Sequence, residues 1–368
     1  MEFSYYMPTR VIQGNNCISK NRDVLLSLGK KAMIVTGKTS AKINGSLSDI
    51  TSVLDDLGIA FVVFDEVEPN PSVETVQRAA GIAREFEADF VIGIGGGSPL
   101  DAAKAVCILS RNVLEGEAVF AGDYSEPFLA NVAVPTTAGT GSEVTQYAIL
   151  TDKSAQTKRN ISSANNFPKV AFLDARYTSS VNKTTTINTA VDALSHSVEG
   201  YLARRSGALP DAIAKESIQI LGRILPGLTG LVDFNMREQL LYASMLAGIV
   251  IAQAGTTAVH AVGYQLTYFR HIDHGRANAL VMAEYLEFVS KGQPEKVETI
   301  LSLMNLSDLG AFKSLIDGLM GPKEVLTEKE VVLFSASAMQ QGNIKNTIPE
   351  PDQESLKQWY RNSLDLID

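Results

Sequence analysis

Cysteine is nearly missing from this chain. Two in 368 residues, Cys17 and Cys107, exclude a disulfide framework and leave no C-x-x-C spacing for a thiolate metal site. Basic residues are also short, with 32 Lys and Arg against 41 Asp and Glu for a formal charge of -9. No basic stripe offsets that repulsion, so nucleic acid and anionic membranes are poor partners and small molecules better ones. The N-terminus lacks the positive start and apolar run of an export signal and instead carries Glu2 and Pro8. An intracellular, cytoplasmic protein is expected. Charge is absent again from Gln239 to Phe269, a stretch long enough to imitate a membrane span. Gln253, Thr256, Thr257 and His260 are spread through it and Gly255 interrupts it, so a buried pair of helices is expected there.

Histidine is scarce too, and its distribution is uneven. Three of the four fall within "VHAVGYQLTYFRHIDHG", Val259 to Gly275. A single histidine in such apolar surroundings is ordinarily a core residue satisfied by one hydrogen bond. Three together call for a common chemical purpose.

At 39.6 kDa the chain exceeds one typical domain, and two are expected, residues 1–178 and 179–368. In the first, short β-rich runs alternate with helical patterns: "KAMIVTG" then "SLSDITSVLDDLG", "AFVVFDEV" then "SVETVQRAAGIAREFEA", "DFVIGIGGGS" then "PLDAAKAVCILS". That alternation predicts a parallel, Rossmann-like sheet covered by helices. From about Tyr177 the texture turns to Ala, Leu, Ser and Glu at helical spacing, which predicts an all-α second domain.

Two small-residue loops follow predicted strands. "GIGGGSPLDAAK" sets Gly95, Gly96 and Gly97 ahead of a helix start, where backbone N–H groups and the positive helix end suit a phosphate. It is not G-x-G-x-x-G, and a plain turn with Ser98 as N-cap and Pro99 in the first helical position is the competing reading. "PTTAGTGSEVT" supplies Thr136, Thr137, Thr140 and Ser142 among glycines. Two such loops at the ends of strands in one sheet favour a dinucleotide over two coincidental turns.

In "VDALSHSVEGYL", Asp192 and His196 are four apart on one predicted helix face. Alone, the pair is as well explained by a hydrogen bond. His260 and His274 add two nitrogens, and one carboxylate with three imidazoles suits divalent iron or zinc with a position open to substrate.

"MPTRVIQG", "VTGKTS", "EPNPS", "GGGSPLDAAK", "PTTAGTGSEVT", "VDALSHSVEGYL", "HGRANAL" and "KNT" occur in this order, and together they resemble the iron-containing (group III) alcohol dehydrogenases over essentially the whole chain. The resemblance implies a nucleotide-binding α/β domain, a helical metal-binding domain, and hydride transfer between an alcohol and NAD or NADP. It carries over Asp192, His196, His260 and His274 as ligands of Fe2+, with Zn2+ as the substitute. Cofactor contacts carried over are Asn70, Gly96, Gly97, Ser98, Asp101, Thr136, Thr137 and Ser142, with Lys158 as an addition. The expected activity is metal-dependent oxidation of a primary alcohol or small diol, 1,3-propanediol for example, and reduction of the aldehyde. The expected form is a homo-oligomer, a dimer.

Two departures stand out. Many members read H-A-x-x-H from the third ligand, whereas Tyr264 stands where the second histidine would. A phenol, with an ordinary pKa near 10, accepts a proton less readily at neutral pH than an imidazole. His271, three residues before His274, reaches the same site if the segment is helical and is an exposed loop residue if it is not. Many NAD-preferring members also carry an Asp after the first strand of the nucleotide domain, where Gly37 stands here; no carboxylate then repels a 2′-phosphate. The alternatives are a zinc-dependent glycerol dehydrogenase and a dehydroquinate-synthase-like lyase. The latter would need a strongly basic pocket, and few Lys or Arg lie near the ligand segments.

Overall fold

The computed structural model describes residues 4–154 and 157–367. The chain divides into two compact units, Met7–Val181 and Asn182–Asp368, the second including Met1–Tyr6. Tyr6 is tied to the second unit by a pair of bonds with the side chain of Gln253: its N–H donates to Oε1 (3.1 Å) and its carbonyl accepts from Nε2 (2.8 Å).

Strands β1 (Arg10–Gln13), β2 (Lys31–Thr36), β3 (Ala60–Phe64), β4 (Phe90–Gly95) and β5 (Ala130–Pro135) are followed by a hairpin, β6 (Tyr147–Asp152) and β7 (Thr157–Ser162), and then by β8 (Val170–Leu173). Six of them form a parallel sheet in the order β1-β8-β5-β4-β2-β3. All six residues of β4 and five of the six in β2 are buried, the continuous apolar reading of strands covered on both faces. Alternate side chains go to opposite cores. Met33, Val35 and Val91 pack with Val76, Ala80 and Val106, while Ile34, Ile92 and Ile94 pack with Ile50, Val53 and Leu54. The chain steps from β2 outward to β3 and then returns to β4 on the other side of β2. The β2/β4 boundary is therefore a topological switch point, where loops at the carboxyl ends of strands part and leave room for a ligand.

The second unit is helical. Its longest helices are Lys183–Leu202, Ala208–Ile224, Phe234–Ala254 and His274–Ser290. The β-structure described there is one parallel pair, β9 (Val325–Thr327) with β10 (Asp365–Ile367), whose three-residue strands are too short to give a sequence period. Among the described residues no single helix is long and apolar enough to cross a membrane. The charge-free stretch forms Phe234–Ala254 and Ala258–Arg270, bent by 111° at Gly255, whose φ of 72° closes the first helix with an N–H bond to Ile251 O.

Candidate metal centre and nucleotide loops

The helix Lys183–Leu202 begins at Asn182, whose side chain accepts the Thr185 N–H. Its middle is unusual for a core helix because Asp192, Ser195, His196, Ser197 and Glu199 are all buried, and polar groups placed so deep need partners. Ser195 and Ser197 are satisfied by the carbonyls of Asp192 and Ala193 and by Ser217, whereas Asp192, His196 and Glu199 meet groups from the two helices that follow the bend. His260 lies in the first turn of Ala258–Arg270, and His274 opens His274–Ser290.

The His260 and His196 Nε2 atoms are 3.0 Å apart, their rings stacked with centroids at 4.8 Å. His274 Nε2 is 4.0 Å from Asp192 Oδ1. One ligand atom each from Asp192, His260 and His274 can be chosen so that all lie within 4.8 Å of one another. Burial pushes the Asp192 carboxyl upward, but the surrounding imidazoles of His196, His274 and His260, with the amide of Asn278, outweigh it and hold the group below its ordinary value. The Asn278 amide nitrogen stands 3.0 Å from Asp192 Oδ1 and 3.3 Å from the Nε2 atoms of His260 and His274. Its own Oδ1 is buried without a hydrogen-bond partner. A carboxylate and three imidazoles, all buried but the partly exposed His274, gathered around a side-chain amide left half satisfied, match the donor chemistry of a divalent iron or zinc site.

Close helix approach makes this possible. A Cβ on Gly275 would lie 1.9 Å from the carbonyl oxygen of Asn188 and 2.9 Å from Asp192 Cβ. Only glycine lets the first turn carrying His274 reach the ligand helix.

Tyr264 lies flat against His274, centroids 5.4 Å apart and planes 14° apart, and edge-on to His260 at 5.9 Å. His271 is placed differently. It caps Ala258–Arg270 in left-handed backbone, φ 54°, with its side chain exposed, so it and His274 do not share a helix, and its three-residue spacing carries no facing geometry.

In the first unit, the helix after β4 runs Gly97–Leu109 with Gly96 as N-cap and no side-chain cap. The plain-turn reading is thereby corrected. Ser98 is inside the helix, its Oγ accepting the Asn70 N–H at 3.1 Å, and Pro99 is the third helical residue. The uncapped first-turn N–H groups are what an anion needs. The second loop packs directly on them: a Cβ on Gly97 would meet Thr140 Cγ2 at 2.7 Å, and one on Gly96 would meet Thr137 Oγ1 at 3.1 Å. Thr136 follows β5 with its N–H on Gly95 O. Asn70, in left-handed backbone (φ 56°), is held to β6 by Thr151, whose hydroxyl donates to its carbonyl. Lys158 is the cross-strand partner of Thr151 in the hairpin. Gly37 follows β2 at the switch point, and a Cβ there would meet Val67 O at 3.4 Å, ordinary contact.

Beneath the loops is a group that sequence reasoning passed over. Lys104 is fully buried, its ammonium donating to Ser142 Oγ (2.7 Å), Thr145 Oγ1 (3.2 Å) and Tyr147 O (2.7 Å). Burial depresses it to about 8 against the attraction of Asp101 and Glu143. Asp101 accepts from Ser142 Oγ (2.6 Å) and the Ile149 N–H (3.0 Å), so the side chains of Asp101 and Ser142 brace the loop from below. The available signal was a lone charge in "AAKAVCIL".

The sequence profile of iron-containing alcohol dehydrogenases matches residues 8–175, and that of the C-terminal part of the Fe-containing alcohol dehydrogenase family matches residues 186–364. The chain belongs to the iron-containing alcohol dehydrogenases. It is similar to the NADPH-dependent butanol dehydrogenase of Clostridium saccharobutylicum, 31% identical over 88% of this chain and 84% of that one. The 1,3-propanediol dehydrogenase of Klebsiella pneumoniae is 35% identical over 82% and 79%. The crystal structure of an iron-containing alcohol dehydrogenase from Thermotoga maritima superposes with a TM-score of 0.92, at 41% identity and 99% coverage of both chains. As a member of this family the chain is an oxidoreductase acting on alcohols, with a divalent metal and a nicotinamide cofactor. Neither the glycerol-dehydrogenase nor the lyase alternative finds support among these relatives.

Proposed function

We propose that the chain oxidises primary alcohols or small diols, and reduces the matching aldehydes, at divalent iron held by Asp192, His196, His260 and His274, with NADP(H) serving at least as well as NAD(H). The observation that carries this reading is the convergence of three imidazoles and one carboxylate, with Asp192, His196 and His260 buried and His274 partly exposed. When bound, the cation supplies Lewis acidity toward the alcohol oxygen and the nicotinamide ring accepts hydride. The chain's own part is to present four lone-pair donors at fixed spacing, three of them on buried side chains. It also cradles an anionic cofactor on the Gly96–Ser98 helix start and the Thr136–Ser142 loop. A screen of primary alcohols, diols and aldehydes with both cofactors, after reconstitution with Fe2+, tests the reading; no turnover of any simple alcohol or aldehyde would refute it.

The cofactor preference follows from Gly37. No carboxylate stands there to oppose a 2′-phosphate, Lys38, Thr39 and Ser40 can donate to one, and the relative from Clostridium saccharobutylicum is NADPH-dependent. Because a side chain fits at this position, Gly37→Asp is expected to fold normally and to move preference toward NADH by about tenfold or more. A parent enzyme already using NADH a hundredfold better would overturn the assignment.

Oxidation must also release a proton, and Tyr264 is the better placed of the two groups considered, stacked as it is on a ligand ring. Tyr264→Phe is expected to slow alcohol oxidation by roughly a hundredfold and to alter its pH profile, while His271→Gln leaves both unchanged. The reverse pattern would transfer the role to His271.

A further inference from the structure

Among the described residues, Glu199 is a buried carboxylate beside the candidate metal centre that the ligand set does not use. It follows His196 by three residues and Asp192 by seven, so all three project from the same side of Lys183–Leu202. Its side chain is wholly buried, where a carboxylate without partners is strongly disfavoured. The partners are all at the start of the next ligand helix. Oε1 accepts from the Thr257 N–H (2.8 Å), the Thr257 hydroxyl (2.8 Å) and the His260 N–H (3.3 Å). Oε2 pairs with His260 Nδ1. Thr257 is the N-cap of Ala258–Arg270 but does not cap it with its own side chain; Glu199 supplies that acceptor from another helix, where negative charge is favoured.

We propose that Glu199 is a positioning residue that locks His260 in the Nδ1–H tautomer, so that the bare Nε2 faces Asp192 and His274. Three donors converge on Oε1, two of them backbone N–H groups that cannot accept, which favours the ionised carboxylate, and an ionised carboxylate only accepts at Oε2 as well. With Nδ1 committed as donor, the proton of a neutral ring cannot sit on Nε2. The Nδ1 of His274 faces the Thr267 hydroxyl at 3.4 Å, a group able to donate or accept. The proposal rests on reading the site as a metal centre, but the tautomer itself is measurable without metal.

Glutamine at this position would have to turn its amide N–H2 either toward the backbone donors of Thr257 and His260 or toward His260 Nδ1. The first choice sets donor against donor at the helix start. The second drives the ring proton to Nε2 and removes the ligand lone pair. The experiment uses full-length protein with 15N-labelled histidines, stripped of metal, and reads the protonation of each ring nitrogen by NMR in the parent, Glu199→Gln and Glu199→Ala. Zinc affinity is measured by chelator competition on the same samples. The parent is expected to show protonated Nδ1 and bare Nε2 at His260, and the variants to lose that pattern and bind zinc roughly 10 to 100 times more weakly. Nε2–H in the parent overturns the proposal whether or not the variants fold. So does a folded variant that keeps the parent's pattern, or binds zinc within about twofold of it. A parent that takes up no zinc overturns the metal reading instead, and leaves the tautomer result to stand by itself.

Discussion

Replacing His274 with alanine is expected to abolish alcohol oxidation while leaving cofactor binding intact. In the proposed site His274 is one of four donors, and truncation to a methyl group removes its nitrogen from beside Asp192. Loss of metal-dependent rate should reach at least about a thousandfold, equivalent to roughly 4 kcal/mol of barrier. The Gly96–Ser98 and Thr136–Ser142 loops lie in the other compact unit, so NADPH should bind the variant with little change. The comparison needs turnover after Fe2+ reconstitution and a fluorescence titration of NADPH with both proteins. Full turnover by chelated, metal-free parent would sink the assignment outright.

Gly275→Ala should weaken the site by a different route. The added Cβ would lie far inside contact distance of the Asn188 carbonyl oxygen and carbon, 1.9 and 2.8 Å away. These are backbone atoms inside Lys183–Leu202, so no side-chain rotation relieves the overlap, and the two helices must separate. Overpacking of this kind costs about 1–3 kcal/mol or more. Separation also draws His274 away from Asp192, whose atoms are already 4.0 Å apart, so zinc affinity should fall by at least about tenfold. Denaturant unfolding and a chelator competition check the two effects; a variant with parental affinity would show that the close approach of these helices is not what assembles the site.

Much of this was legible in sequence because the relevant signals are local. The β–α alternation and the glycine-rich loops lie in contiguous stretches. The four donors could be named because histidine is rare here and because Asp192 and His196 share a helix face. What stayed hidden depends on pairs distant in the chain. Glu199 gains its meaning only from Thr257 and His260, and Asn278 only from three ligands on three helices. Lys104 sits in an apolar run, and sequence does not say which hydroxyls and carboxylate lie around it. His271 shows the converse error, in which spacing near a ligand suggests a shared face that a left-handed residue then destroys. The competing reading made Ser98 a cap because its type suits one, whereas the helix starts two residues earlier and gives that place to Gly96.

The order in which the donors occur has one more consequence. Asp192 and His196 come from one helix, His260 from the helix after the bend, and His274 from the next, so a single cation bound at the proposed site would tie together segments far apart in the chain. In a protein whose two cysteines are both buried and free, a cation bound there would act as a removable cross-link of the folded state, since the donors are gathered only in the assembled site and not in the unfolded chain. Stability of the helical unit then depends on how much free metal the surroundings supply, and starvation for the ion would loosen the architecture as well as silence the chemistry.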